Sequence, residues 1–343
     1  MQHNQRGYIL FLLFCILSVC MTLISLYFSK SVTYQNLMHL FTTKEKTSKL
    51  ALSSVALGQT ILYVPFKEEK QKTAKQSTEQ EEGYNYKLLE KVFPYLYTTK
   101  TYKLFKEIEG IDATMHLNIN SENGKLNLNS VYDFHEKKFI NEGQQDDKKK
   151  LCQWLFTAIS QKTKQPSLFD AFEKHLKERS HDFNDVTELL YINEFSEVFQ
   201  HSLFFEINKK NDEKIYLTDI FTICTEQDRI NPWLFSHSWR VLLDIKEPTS
   251  LSQDEQKKVI DSVKKQVNWE KEWDNSLKVL YQKDYKDLPQ EIKSLLTTDF
   301  EANIFSLLSQ VIIGETTSTI FTILKANAKN KPATFDIVRV YQL

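Results

Sequence analysis

The side chains that could do chemistry in this chain are few and scattered. Asp182, Asn184 and Asp185 put three oxygen-bearing side chains within four residues, the donor type a hard cation such as calcium prefers. The same trio also fits the cap of a helix starting at Val186, and capping is the simpler role. Ser236-His237-Ser238 sets hydroxyls beside an imidazole. No acid or oxyanion motif accompanies them, so they read as helix surface. Cys152 and Cys224 could form a disulfide in an oxidising compartment, worth about 2–4 kcal/mol, or stand as two unpaired buried thiols. Trp233 and Trp239 read as core or interface rather than as a ligand site. The chain has only seven glycines and contains no GxxxxGK[ST], GxGxxG, GxSxG, HExxH or CxxC pattern, so a glycine-rich phosphate cradle and the familiar zinc and hydrolase signatures are excluded.

The elements that would position such groups begin with an apolar N-terminal run. No charged residue lies between Arg6 and Lys30, and no glycine or proline between Gly7 and Gly58. Tyr8 to Ser29 gives 22 uncharged, mostly apolar residues, enough to span a bilayer as a helix. Val32, Leu37, Met38, Leu40, Phe41, Leu50, Leu52, Val55 and Leu57 carry the helical pattern onward among polar residues. One helix over 8–57 is expected, roughly 75 Å long at about 1.5 Å per residue.

Four readings of this N-terminus stay open. It can be a short leader, Met1 to Gly7, cut on the cytoplasmic side to leave the helix on the mature chain. It can be an uncleaved anchor. It can be a lipoprotein signal ending at Cys20, although Val19 is larger than the residue usually found before a lipidated cysteine. It can be a cleaved secretory signal, although no small-x-small site follows. The first best explains why the apolar pattern outlasts the membrane. Cys15 and Cys20 are five residues apart and do not share a helix face.

The chain as a whole is 41% hydrophobic and 26% charged, with a net charge of −1. That balance gives no reason to expect nucleic acid as a partner. Gln59 to Phe66 reads as a short strand, and Lys67 to Glu82 as a solvated loop. Thr114 to Asn129 reads as a β-hairpin. Met115, Leu117 and Ile119 alternate on one arm, Leu126 and Leu128 on the other, and Asn123-Gly124 forms the turn. From about Asp146 to Ile313 the periodicity is helical. Leu151, Trp154, Leu155 and Ile159 share a face, as do Leu168, Phe169, Phe172 and Leu176. Ser252 with Glu255, and Thr298 with Glu301, have capping-box spacing. Ile304, Leu307, Leu308 and Val311 then read as a last helix. Thr317 to Leu324 and Phe335 to Tyr341 are β-branched and aromatic, a closing hairpin broken at 329–332. The expected fold class is α+β: a long membrane and stalk helix (8–58), an antiparallel sheet domain (59–145 and 314–343) and an inserted helical domain (146–313).

In that order the pieces resemble the type II secretion minor pseudopilins of the K class. Arg6-Gly7 before an apolar helix resembles the family's prepilin-peptidase site. The stretches Ser121 to Asn129, Phe183 to Ile192, Leu217 to Thr222 and Arg229-Ile230-Asn231 resemble family segments in the same sequence. Tyr8 stands where the family usually has Phe or Met, only Asn231 of the asparagine motif matches, and Leu251 to Gln290 has no counterpart. The resemblance implies cleavage between Gly7 and Tyr8, with N-methylation of Tyr8. It also implies an apolar fifth mature residue, Leu12, where most pilin-like subunits carry a membrane-buried glutamate. It implies a non-enzymatic assembly role at the tip of a pseudopilus, with the I- and J-class minor pseudopilins, the major pseudopilin and the prepilin peptidase as partners. The chain would cross the inner membrane once, with its bulk in the periplasm. It implies no cofactor other than calcium, which some K-class proteins are thought to bind. The competing reading is a membrane-anchored or lipidated periplasmic binding protein or enzyme.

Overall fold

The computed structural model describes residues 3–63, 87–88, 90–96, 98–207, 213–245, 252–263, 268–298, 301–327 and 334–343, with side chains from residue 11 onward except those of 253 and 256. The fold is α+β. Helix α1, His3–Leu62, is 60 residues long, about 90 Å at the usual rise. It runs straight through Gly58, so Gln59 to Leu62 close the helix instead of forming the expected strand. Residues 64–66 of that expected strand, and the expected solvated loop 67–82, lie outside the described residues.

Among the described residues nine strands follow: β1 Lys100–Leu104, β2 Ala113–Ser121, β3 Leu126–Asn127, β4 Tyr132–Asp133, β5 Lys138–Phe139, β6 Phe221–Thr222, β7 Ile304–Ile313, β8 Thr316–Asn327 and β9 Thr334–Gln342. The main sheet has five of them in the order β1-β2-β7-β8-β9. All of its neighbours are antiparallel. The closing hairpin is present as β8 and β9. The sheet's central strand, β7, occupies the stretch whose spacing predicts a last helix. The run Ile304–Ile313 is almost continuously apolar and buried on both faces, and such a run fits a 3.6-residue period as well as a strand. Burial on both sides, not amphipathicity, decides its state. The helical stretch therefore ends before Ile304, and the Thr298–Glu301 spacing caps nothing. Glu301 instead accepts a hydrogen bond from the Gln227 amide.

The residues between β2 and β7 supply the helical body. Its main helices are α2 Lys148–Thr163, α3 Phe169–Glu178, α4 Asn193–Phe199, α5 His237–Leu242 and α6 Gln253–Val263. Leu151, Leu155 and Ile159 are buried along α2, and Phe169, Phe172 and Leu176 along α3. The Ser252–Glu255 box forms reciprocally. The Ser252 amide donates to Glu255 Oε2 at 2.9 Å, and the Glu255 amide donates to Ser252 Oγ at 3.3 Å. The aromatic core runs through Phe156, Phe172 and Phe195, with ring centroids 4.9 to 6.1 Å apart.

The sheet is thus the middle of three layers. On one side α1 lies against β7 and β8. On the other, Ile304, Leu308, Phe321 and Ile323 pack with Ile207 and Phe204 of the helical body.

Candidate functional site

Helix α1 has two parts of opposite character. Its last turns bury Thr47, Ala51, Ser54, Val55, Ile61 and Leu62 against the sheet. With the buried Gly58 they recur about every turn, one stripe of a helix, and several are small. Ser54 Oγ meets Ser309 Oγ on β7. A Cβ on Gly58 would sit 2.6 Å from Leu307, so glycine here sets how closely helix and strand approach. The Gln59 side-chain amide donates to the Phe335 carbonyl at 2.7 Å. The preceding part is bare. Phe11, Leu12, Phe14, Phe28, Val32, Leu37, Met38, Leu40 and Phe41 are all exposed. By length and composition this helix can cross a membrane once.

The second feature is the junction between sheet and helical body, built from the segment expected to be a hairpin. β2 ends at Ser121, Glu122–Gly124 form a 3-10 turn, and β3 leaves to pair in parallel with β6. The Asn123-Gly124 pair is buried, and tertiary contacts override its turn chemistry. The Asn231 amide donates to the Asn123 carbonyl at 3.0 Å. The Asn123 side-chain amide donates to Asn303 Oδ1 at 3.1 Å. A Cβ on Gly124 would fall 1.8 Å from the Leu234 carbonyl oxygen. Lys125 forms an ion pair with Glu122, both side chains 2% exposed. Its ammonium also donates to the Thr218 carbonyl at 2.8 Å and to Ser306 Oγ at 3.3 Å, so its charge is fully engaged. The Asn127 amide donates to the Thr225 carbonyl at 2.6 Å, and the Asn129 amide to the Phe183 carbonyl at 3.0 Å. The polar residues of this strip tie the sheet to the helices. No signal in the sequence separates such a strip from a solvated hairpin face.

The candidate cation ligands serve as structure. Asp185 Oδ1 accepts from the Thr187 amide at 2.8 Å and caps the turn Val186–Tyr191, which is the capping role. Its Oδ2 is engaged by Arg339 and Tyr341 of β9. Burial alone would raise the Asp185 carboxyl, but the Tyr341 hydroxyl, Thr187 and Arg339 outweigh it and hold it below the ordinary carboxylate range. Asp182 and Asn184 are exposed, and the carbonyls of both accept from arginines, Arg179 and Arg339. Among the described residues no group of three or more His, Cys, Asp or Glu converges as a metal site.

Ser236, His237 and Ser238 are buried, not helix surface. Ser236 caps α5, accepting from the Trp239 amide at 3.3 Å, and Ser238 Oγ accepts from the Tyr216 amide at 2.9 Å. The Ser238 amide itself donates to Asp219 Oδ2 at 2.7 Å. Trp233 and Trp239 lie in the core. Cys152 and Cys224 are free thiols, not a disulfide. Burial pushes the Cys224 thiol up to about 11 and Cys152 higher still, which leaves both as thiols rather than reactive thiolates. Gly7 and Tyr8 lie on the backbone of α1, and Leu12 is 46% exposed on its surface.

No protein-family model and no curated protein matches the chain. Among solved structures, the chain aligns with one from the crystal structure of the GspK-GspI-GspJ complex of the enterotoxigenic Escherichia coli type 2 secretion system. The alignment covers 92% of this chain and 99% of that one, at 11% identity and a TM-score of 0.41. A superposition that loose does not by itself establish a shared fold.

Proposed function

We propose that the chain is a minor pseudopilin of the K class, a structural subunit at the tip of a type II secretion pseudopilus. The observation that carries this reading is the division of α1. Its end is seated on an antiparallel sheet through small residues, while its membrane-length start presents large apolar side chains that nothing among the described residues covers. A helix apolar all round is stable in lipid or among other helices. A subunit that leaves the membrane to join a fibre meets both environments in turn.

In this reading the leader is cut between Gly7 and Tyr8, Tyr8 becomes the N-methylated mature end, and Leu12 takes the membrane-buried position without a charge. The chain sits in the inner membrane with its sheet and helical body in the periplasm. The I- and J-class minor pseudopilins and the major pseudopilin pack along the bare face of α1. Asp219, Ser236, Ser238 and Asp185 hold backbone and β9 in place, and nothing they form resembles a nucleophile with its base, so the reading is non-enzymatic. A Gly7→Leu variant tests it. The expected product keeps residues 1–7 and stays in the membrane. Normal trimming of that variant would refute the leader assignment.

A further inference from the structure

The two edges of the main sheet are unlike. β1 is a five-residue edge carrying Lys100 and Lys103, the kind of short, lysine-bearing edge that resists adding another strand. β9 is a nine-residue edge with no lysine. Ile337, Val338 and Val340 are each about half exposed on it. Among the described residues no strand pairs with its outer side.

The direction of its backbone groups follows from the ladder. The Leu343 amide donates inward to the Thr319 carbonyl of β8 at 2.9 Å. Gln342 lies opposite Ile320, and Tyr341 opposite Phe321. Antiparallel strands alternate inward and outward groups, so the N–H and C=O of Val340 and Gln342 point away from β8. The ladder shifts register at Ile323/Leu324, which leaves Val338 as an extra residue. Such a bulge increases local twist but does not cover the edge.

This edge reaches α1 just beyond the bare part of the helix. The Gln342 side-chain amide reaches Ser48 Oγ on α1 at 3.4 Å. Leu52 is exposed and lies one turn beyond Ser48 on the same helix face. Val340 shares a strand face with Gln342. The apolar side of β9 thus lies beside α1 just beyond the bare part that the proposed function assigns to neighbouring subunits.

We propose that β9 accepts an extended segment of a neighbouring pseudopilus subunit as a sixth strand. This rests on the pseudopilin reading for the identity of the neighbour. A row of outward main-chain donors and acceptors is matched by another strand, and alternate apolar side chains on that strand would cover Val340 and Leu52. A helix laid in the same groove would leave the outward N–H groups of Val340 and Gln342 unpaired and buried.

The test places a benzoylphenylalanine photo-cross-linker at Val338 in the full chain, in the cells that make it, with the same probe at Thr101 on β1 as the control. The expected result is an adduct from position 338 on an extended, alternating apolar segment of another leader-bearing chain, and none from position 101. Val340→Pro removes an outward N–H without touching the ladder to β8, and is expected to lower the adduct yield about tenfold. Val340→Lys keeps that N–H, guards the edge with a charge and is expected to lower it as well, which covers the case in which the proline variant misfolds. No adduct at 338, an adduct on a helical segment, or a yield unmoved by both variants would overturn the proposal. Trimming at Tyr8 without an adduct sinks only the strand site. A strand adduct on an untrimmed chain sinks the pseudopilin reading and leaves the edge as the docking site.

Discussion

The two parts of α1 obey the same helical geometry and are made of different side chains. From 47 to 62 the inward face is Thr47, Ala51, Ser54, Val55, Gly58 and Ile61, mostly small, and the sheet comes close enough for Ser54 to touch Ser309. From 11 to 41 the helix is crowded with Phe, Leu and Ile, and nothing among the described residues covers them. Small residues are where a helix has a fixed partner at short range. Large bare ones are where the partner is lipid or another chain. Substitutions in the seated part and the sheet beneath it should therefore cost folding stability. Substitutions in the bare part should cost assembly.

The largest loss of stability is expected not on the helix but at the junction below the sheet. Lys125→Met leaves Glu122 charged and unpaired in the interior, and removing one partner of a buried pair costs about 3–5 kcal/mol. Denaturation of the detergent-solubilised chain measures it. Adding Glu122→Gln to that variant should recover part of the loss. At the seated end of α1, Gly58→Leu drives new atoms into Leu307. The expected cost is about 1–3 kcal/mol, as for other overpacked cores, with little effect on trimming. On the bare part, Leu40→Gln or Phe41→Gln should change folding stability by less than about 0.5 kcal/mol, yet reduce incorporation into fibres assayed by shearing and blotting. Equal stability losses at Gly58 and Leu40 would erase the contrast.

The smallest effect is on pH. Burial lowers His116 below the ordinary histidine value, and burial with the Arg179 charge does the same for His175. Both therefore stay neutral in the folded state at a pH where the unfolded chain takes up protons. The unfolded state then binds more protons, so stability rises with pH through that range. It is complete above the unfolded value of about 6.5 and is lost as pH falls from there toward the folded values. His116→Gln should flatten that slope. An unchanged slope in the thermal midpoint between neutral and mildly acid pH would contradict this.

Much of the fold was readable because single periodicities spoke for single elements. The bare helix announced itself by charge absence, α2 and α3 by their apolar spacing, and β8 and β9 by β-branched runs. Three features were not readable, each for a physical reason. β7 is buried on both faces, and a run without a polar side has no period to read. Asn123-Gly124 carries turn chemistry, but its groups are claimed by Asn231, Asn303 and the Leu234 carbonyl, partners 100 or more residues away. Ser236 and Ser238 look like surface because they are polar, yet Asp219 and the Tyr216 amide satisfy them inside the core. Of the candidate site residues, Asp185 was placed correctly as a cap, but its second role, holding β9 through Arg339 and Tyr341, needed the fold to bring the C-terminal strand beside it.

The central claim is that α1 belongs to a leader-bearing subunit whose bare face is made for neighbours. The intact mass of the chain extracted from its own membranes tests it most directly. The account predicts a mature protein that begins at Tyr8 and carries one methyl group on its amine. A chain that still begins at Met1, or one that begins at an acylated Cys20, would contradict it.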